Sequence, residues 1–181
     1  MRSFLSFIWE ITKIVIIALL IVVPIRTFLF QPFSVRGESM VPTFENGDYL
    51  IIDEISYRFQ VPQRGEVIVF RFPRLPSQRY IKRIVGLPGE TVEIKDGKVM
   101  ISNQRESYIL DESGYLPSDI FTKGETLISL ADNQYFVLGD NRYASADSRS
   151  WGALPRENII GRVFLRAWPF TAFAKIEAPE Y

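Results

Sequence analysis

The chain has 181 residues, and its 21 basic side chains balance 21 acidic ones, so no electrostatic case exists for nucleic acid as a partner. It contains neither Cys nor His. That excludes disulfides, thiolate or imidazole metal sites, cysteine nucleophiles and a Ser-His-Asp triad. Any hydrolytic chemistry must take its base from Lys, Asp, Glu, Tyr or the terminal amine. No cofactor and no metal is expected. With 47% hydrophobic and 14% aromatic residues, the chain can pack one domain, or one domain with a small insertion.

Residues 11–30 read ITKIVIIALLIVVPIRTFLF. The strictly apolar run, Ile14 to Ile25, is too short to cross a bilayer alone. With its flanks it reaches about the 20 residues a spanning helix needs. Lys13 and Arg26 can snorkel to the two interfaces, and Trp9, Phe28 and Phe30 offer interfacial aromatics. Pro24 is tolerable in a membrane helix. A cleaved secretory peptide would need a pair of small residues after the core, and PIRTFLFQPFSV has none. A buried soluble helix would need apolar cover on every side. Basic residues lie on both flanks (Arg2 and Lys13 before, Arg26 and Arg36 after), so charge does not decide orientation.

From Gln31 to Tyr181 the pattern predicts a mostly antiparallel β domain. Phe33–Val35, Asp48–Ile52, Glu66–Phe72, Tyr80–Val85, Thr91–Ile94, Lys98–Ile101, Tyr135–Leu138 and Arg162–Leu165 are β-branched and aromatic, punctuated by Gly, Pro, Asp and Asn. Asp96-Gly97 between TVEIK and KVMI is a two-residue hairpin signal. The best candidates for short helical turns follow Ser39 and Pro155. Residues from about 102 to 132 are polar and turn-rich, and are expected to form a smaller inserted or projecting region. The division expected is 1–30 as anchor and 31–181 as β domain.

Several segments carry candidate chemistry. In Gly37-Glu38-Ser39-Met40-Val41-Pro42, a Gly two before Ser and a Pro three after suggest a tight turn that presents the hydroxyl and its neighbouring N–H groups. An ordinary turn reads the same way. On a strand, Tyr80, Lys82 and Ile84 share one face. An ammonium among such neighbours loses hydration, so its neutral form becomes available as a base. A strand lysine whose head reaches water reads the same way too. Residues 139–149, GDNRYASADSR, place Asp140, Arg142, Asp147 and Arg149 where ion pairs can fix a loop. They lack the ligand alternation of a calcium loop.

GESMVPTF, GDYLIIDEISYRF, YIKRIVGLPGE and GDNRYASADSRSWG, in this order, resemble the boxes of bacterial-type signal peptidase I. The match runs from about residue 31 to 166. The resemblance implies a signal-peptidase-like β catalytic core with a small inserted region and an N-terminal transmembrane helix. It implies a membrane-bound endopeptidase that removes signal peptides from exported preproteins through a Ser/Lys dyad. Ser39 matches the nucleophile and Lys82 the general base. Ser145 matches the serine that orients the lysine amine, Asp147 and Arg149 a salt-bridged pair, and Asp140 a further supporting carboxylate. Phe33, Val35, Tyr80 and Ile81 match the substrate-binding surface. The partners implied are preproteins and a lipid bilayer, with no nucleic acid and a monomeric enzyme. The implied location is a cell or thylakoid membrane, crossed once, with the cytosolic end at the N-terminus and the catalytic part on the trans side.

Two departures stand out. Some family members have a serine two residues before the nucleophile, where this chain has Gly37, and Asn often precedes the last-box serine, where this chain has Ala144. Rival readings are a maturation peptidase for one dedicated substrate and a membrane-tethered binding module that kept the fold without activity. Self-cleaving Ser/Lys repressors carry a DNA-binding helical domain instead of an apolar start. The aromatic stretch Arg166–Phe173 is read either as a bilayer contact or as ordinary packing.

Overall fold

The computed structural model describes residues 2–24 and 30–179. Helix α1 (Arg2–Pro24) comes first. It begins well before the expected span and is described as far as Pro24. Among the described residues no helix is long and apolar enough to cross a membrane. Arg26 and Phe28, expected at one interface, lie outside the described residues.

The strands are β1 (Phe30–Ser34), β2 (Tyr49–Asp53), β3 (Val67–Phe72), β4 (Leu75–Gly86), β5 (Thr91–Lys95), β6 (Lys98–Ser102), β7 (Ser107–Ile109), β8 (Thr126–Ser129), β9 (Gln134–Leu138), β10 (Leu154–Pro155), β11 (Ile159–Trp168) and β12 (Ala174–Lys175). A short helix, α2 (Ser148–Trp151), precedes β10. Eight strands form one sheet in the order β1-β2-β11-β3-β4-β9-β10, with β12 on β11. Four form a smaller sheet, β7-β6-β5-β8. Every pairing is antiparallel.

The smaller sheet starts at Thr91, earlier than the polar stretch that drew notice in the sequence, and it recruits TVEIK and KVMIS. The hairpin at Asp96-Gly97 joins them, with φ of +52° and +77° at the two turn residues. Both values suit a turn that follows the strand twist.

The core divides by sheet face. In β3, Val67 and Val69 join Val35, Met40, Phe44, Leu50 and Ile81 on one side, while Ile68 and Phe70 join Ile84, Val137 and Leu154 on the other. That alternation is the period-2 geometry of a strand covered on both faces. A third cluster, with Val85, Val92, Ile101 and Phe136, packs the small sheet onto the end of β4 and β9. Gly86 sits in that seam, where a Cβ would come within 2.5 Å of a Val92 methyl.

Two features of this frame position the groove described next. β1 is a terminal strand of its sheet. β4 pairs β3 along most of its length but meets β9 only from Arg83 onward. Residues before Arg83 in β4 therefore keep one backbone edge unpaired by the sheet.

Candidate active site

Ser39 lies on the turn between β1 and β2. Met40 and Phe44 of the same turn are wholly buried in the core, each stabilising its seat by roughly 2–3 kcal/mol. The turn is tied from outside as well. The Asn141 backbone N–H donates to the Ser39 carbonyl at 3.1 Å, and the Asn141 side-chain amide donates to the Glu38 carbonyl at 3.0 Å. Arg166 donates to the Thr43 carbonyl and lies over the Phe44 ring.

Lys82 reaches this turn from β4. Its Nζ lies 2.7 Å from Ser39 Oγ and 2.7 Å from the Ile81 carbonyl. The residue is 3% exposed, and the Tyr80 ring stands 5.6 Å from the amine. Tyr80 is held in turn by a stacked Phe72 ring 4.7 Å away. Burial pulls the Lys82 pKa down from 10.5 to about 8, against the opposing pull of Asp147 and Asp140. A neutral amine touching a hydroxyl is thus accessible near physiological pH, which is the requirement for a lysine base.

The 139–149 loop supplies the remaining expected residues. Asp140 accepts two bonds from Arg83, at 2.9 and 2.6 Å, and a 2.5 Å bond from the Thr43 hydroxyl. It therefore links β4 to the Ser39 turn. Asp147 accepts from Arg149 Nε and Nη2 at 2.8 Å each, and from the Gly139 N–H at 3.1 Å. Burial works to raise the Asp147 pKa, but the Arg149 bonds and charge outweigh it and hold the carboxyl below its ordinary value.

Ser145 sits against Gly139. A Cβ on Gly139 would fall 2.1 Å from Ser145 Oγ and 2.5 Å from the Ser39 carbonyl oxygen. Only a glycine lets these two serines approach each other so closely. The Ser145 hydroxyl is buried and faces the Asp147 carboxylate, which it helps to hold in its charged form. In place of the expected Ser145 contact, the second bond of the Lys82 amine goes to the Ile81 carbonyl.

A groove of about 630 Å³ runs past the dyad. Phe33, Ser34, Tyr80, Ile81, Ala144 and Ala146 line it together with Ser39 and Lys82. Val35 does not reach the groove. It is 2% exposed and sits within the core cluster of Met40, Leu50 and Ile81, against which the partly buried Phe33 also packs. Gly37 has φ +83°, and its N–H donates to the Asn46 side chain. The Ser39 N–H makes no hydrogen bond among the described residues.

Asn141, Gly139 and Thr43 were not singled out for roles in the sequence. Their signal is weak there, since each acts through a partner distant in the chain. Among the described residues no acidic cluster fit for a metal ion is found.

A family model described as "Signal peptidase, peptidase S26" matches residues 8–168. The chain belongs to that family. Members of the signal peptidase family are serine endopeptidases, and so is this chain. It is 38% identical to the probable signal peptidase I-1 of Synechocystis sp., over 94% of this chain and 88% of that protein. It is 37% identical to the signal peptidase I of Leptolyngbya laminosa, over 92% and 83% respectively. The thylakoidal processing peptidase 1, chloroplastic, of Arabidopsis thaliana is 34% identical over 93% of this chain and 51% of its own length.

Proposed function

We propose that this chain removes N-terminal signal peptides from exported preproteins, with Ser39 as nucleophile and Lys82 as general base. The observation that carries the reading is the 2.7 Å approach of a buried, pKa-lowered amine to a hydroxyl at the head of a groove.

The extended cleavage region of a preprotein adds as a strand between the outer edge of β1 and the unpaired edge of β4 before Arg83. Backbone bonds set the register. Alternate side chains then face the wall formed by Phe33, Tyr80 and Ile81. Small side chains fit there and large ones clash. Neutral Lys82 takes the Ser39 proton while Oγ attacks the scissile carbonyl. The tetrahedral oxyanion is met by the Ser39 N–H, a backbone donor with no competing partner among the described residues. Collapse releases the new amine, which takes the proton from Lys82, and leaves an acyl-Ser39 ester. Water, deprotonated by the same amine, cleaves the ester and restores Ser39. Asp140, Asp147, Arg149 and Ser145 hold the frame around the dyad.

We also read α1, with the residues that follow it, as a single membrane anchor. It keeps the enzyme on the surface where its substrates are embedded and raises their effective concentration. The catalytic part then faces the trans side of a cell or thylakoid membrane, and one copy suffices for the site. The test is incubation of the full chain with a preprotein in detergent, followed by N-terminal sequencing of the product. A product starting at the mature residue supports the reading. An uncleaved preprotein, with a known signal peptidase cleaving it in parallel, overturns it.

A further inference from the structure

Glu112–Lys123, in the stretch between β7 and β8, meets the charged residues around the dyad repeatedly. Arg142 donates to both Glu112 carboxylate oxygens, at 2.9 and 2.5 Å, and to the Thr122 hydroxyl. Tyr115 places its ring 4.0 Å from the Arg83 guanidinium, and its hydroxyl donates to Glu112 at 2.7 Å. The Lys123 carbonyl accepts from Arg149 at 3.2 Å. So Arg83, Arg142 and Arg149, three arginines from the two segments that carry Lys82 and Ser145, each find a partner in this one stretch.

Arg142 has no assigned part in the chemistry, yet it is one of the most deeply buried side chains of the protein. Its Nε donates to the Gly139 carbonyl at 3.0 Å. The Gly139 N–H is already committed to Asp147. Gly139 is therefore held from both of its peptide groups, and it is the surface against which Ser145 and the Ser39 carbonyl rest. A buried guanidinium keeps that geometry only while a carboxylate satisfies it. The carboxylate is Glu112.

We propose that Arg142, clamped by Glu112 and Thr122, is a positioning residue for the dyad, and that the inserted stretch completes the catalytic site from behind. The inference rests on the Ser39–Lys82 reading. Loss of the clamp lets the Gly139 peptide turn, and Ser39 then drifts from the Lys82 amine. Displacements near 1 Å at a reacting centre lower rates by up to about 100-fold while leaving binding intact. The groove wall formed by Phe33, Tyr80 and Ile81 does not depend on the clamp.

The test compares Glu112→Gln with Glu90→Gln in the full chain in detergent. Glu90 forms a similarly buried pair with Arg64, 2.5 Å apart, at the other end of the small sheet. Preprotein cleavage gives kcat and KM, and thermal unfolding gives stability. Glu112→Gln is expected to lower kcat about 10- to 100-fold with KM within about twofold, while Glu90→Gln loses similar stability at unchanged kcat. Arg142→Lys, which keeps the charge but not the simultaneous bonds to Glu112 and Gly139, serves if the first variant does not fold. Normal kcat in a folded variant of either kind overturns the proposal. So does a kcat loss that tracks stability equally in Glu90→Gln. Cleavage surviving in Ser39→Ala would overturn the dyad reading, and this proposal with it.

Discussion

Lys82 Nζ and Ser39 Oγ are 2.7 Å apart although 43 residues separate them in the chain. The amine arrives along β4, whose register is fixed on one side by Ile68 opposite Lys82. The hydroxyl arrives on a turn whose Met40 and Phe44 are sunk in the core. Lys82 supplies the one amine hydrogen-bonded to the Ser39 hydroxyl among the described residues. Single substitutions are therefore expected to be decisive. Ser39→Ala and Lys82→Ala should each reduce kcat by at least about 1000-fold, and the double variant should lose little more, because the pair acts as one unit. Lys82→Arg should fail as well, since a guanidinium keeps its proton. Preprotein cleavage at saturating substrate reads all four, and near-normal turnover in Lys82→Ala would remove the dyad.

The pH dependence follows from the Lys82 pKa of about 8. The neutral amine is the active form, so kcat should rise with pH through that value and level off above it. Stability carries the same sign. Burial disfavours the charged form, so the unfolded chain binds the proton more tightly than the folded one. The penalty, roughly 3 kcal/mol, is fully present below pH 8 and is relieved as pH rises from 8 to 10.5. The unfolding free energy of wild type relative to Lys82→Met should thus climb across that window. A flat difference would contradict the lowered pKa.

Gly139→Ala should cost at least about 100-fold in kcat. Its new methyl meets Ser145 Oγ and the Ser39 carbonyl oxygen well inside contact distance, and the serine turn is the element that must yield. Circular dichroism should show a folded protein, and an active-site serine probe suited to Ser/Lys enzymes should label it slowly.

Asn141→Ala removes the side-chain bond to the Glu38 carbonyl but keeps the backbone bond to Ser39. One neutral hydrogen bond contributes about 1 kcal/mol. A kcat reduction of about fivefold, with KM unchanged, is expected from cleavage kinetics.

Much of this site was readable in the residue string. The alternation in YIKRIV put Tyr80 beside Lys82, and their side chains do meet. The Asp-Gly hairpin and the apolar strands around it needed only local chemistry. The strands SYI and TLIS escaped notice because each is short and half-exposed, with turn residues on both sides. Val35 shows a different limit. Period 2 puts it on the face of Phe33, and both pack on the same core cluster, but Val35 is fully covered there while Phe33 reaches the groove. The Glu112–Arg142 pair lies 30 residues apart across an unpatterned stretch, and no spacing rule announces such a contact.

β4 and β9 are neighbours in the main sheet, pairing Arg83 with Leu138 and Ile84 with Val137, although the whole four-stranded sheet is spliced between them. The excursion leaves and re-enters at adjacent strands. Its length can therefore grow or shrink over evolution without disturbing the alignment of Lys82 with the loop that carries Ser145. What it cannot vary freely is the spot where a carboxylate returns to meet Arg142.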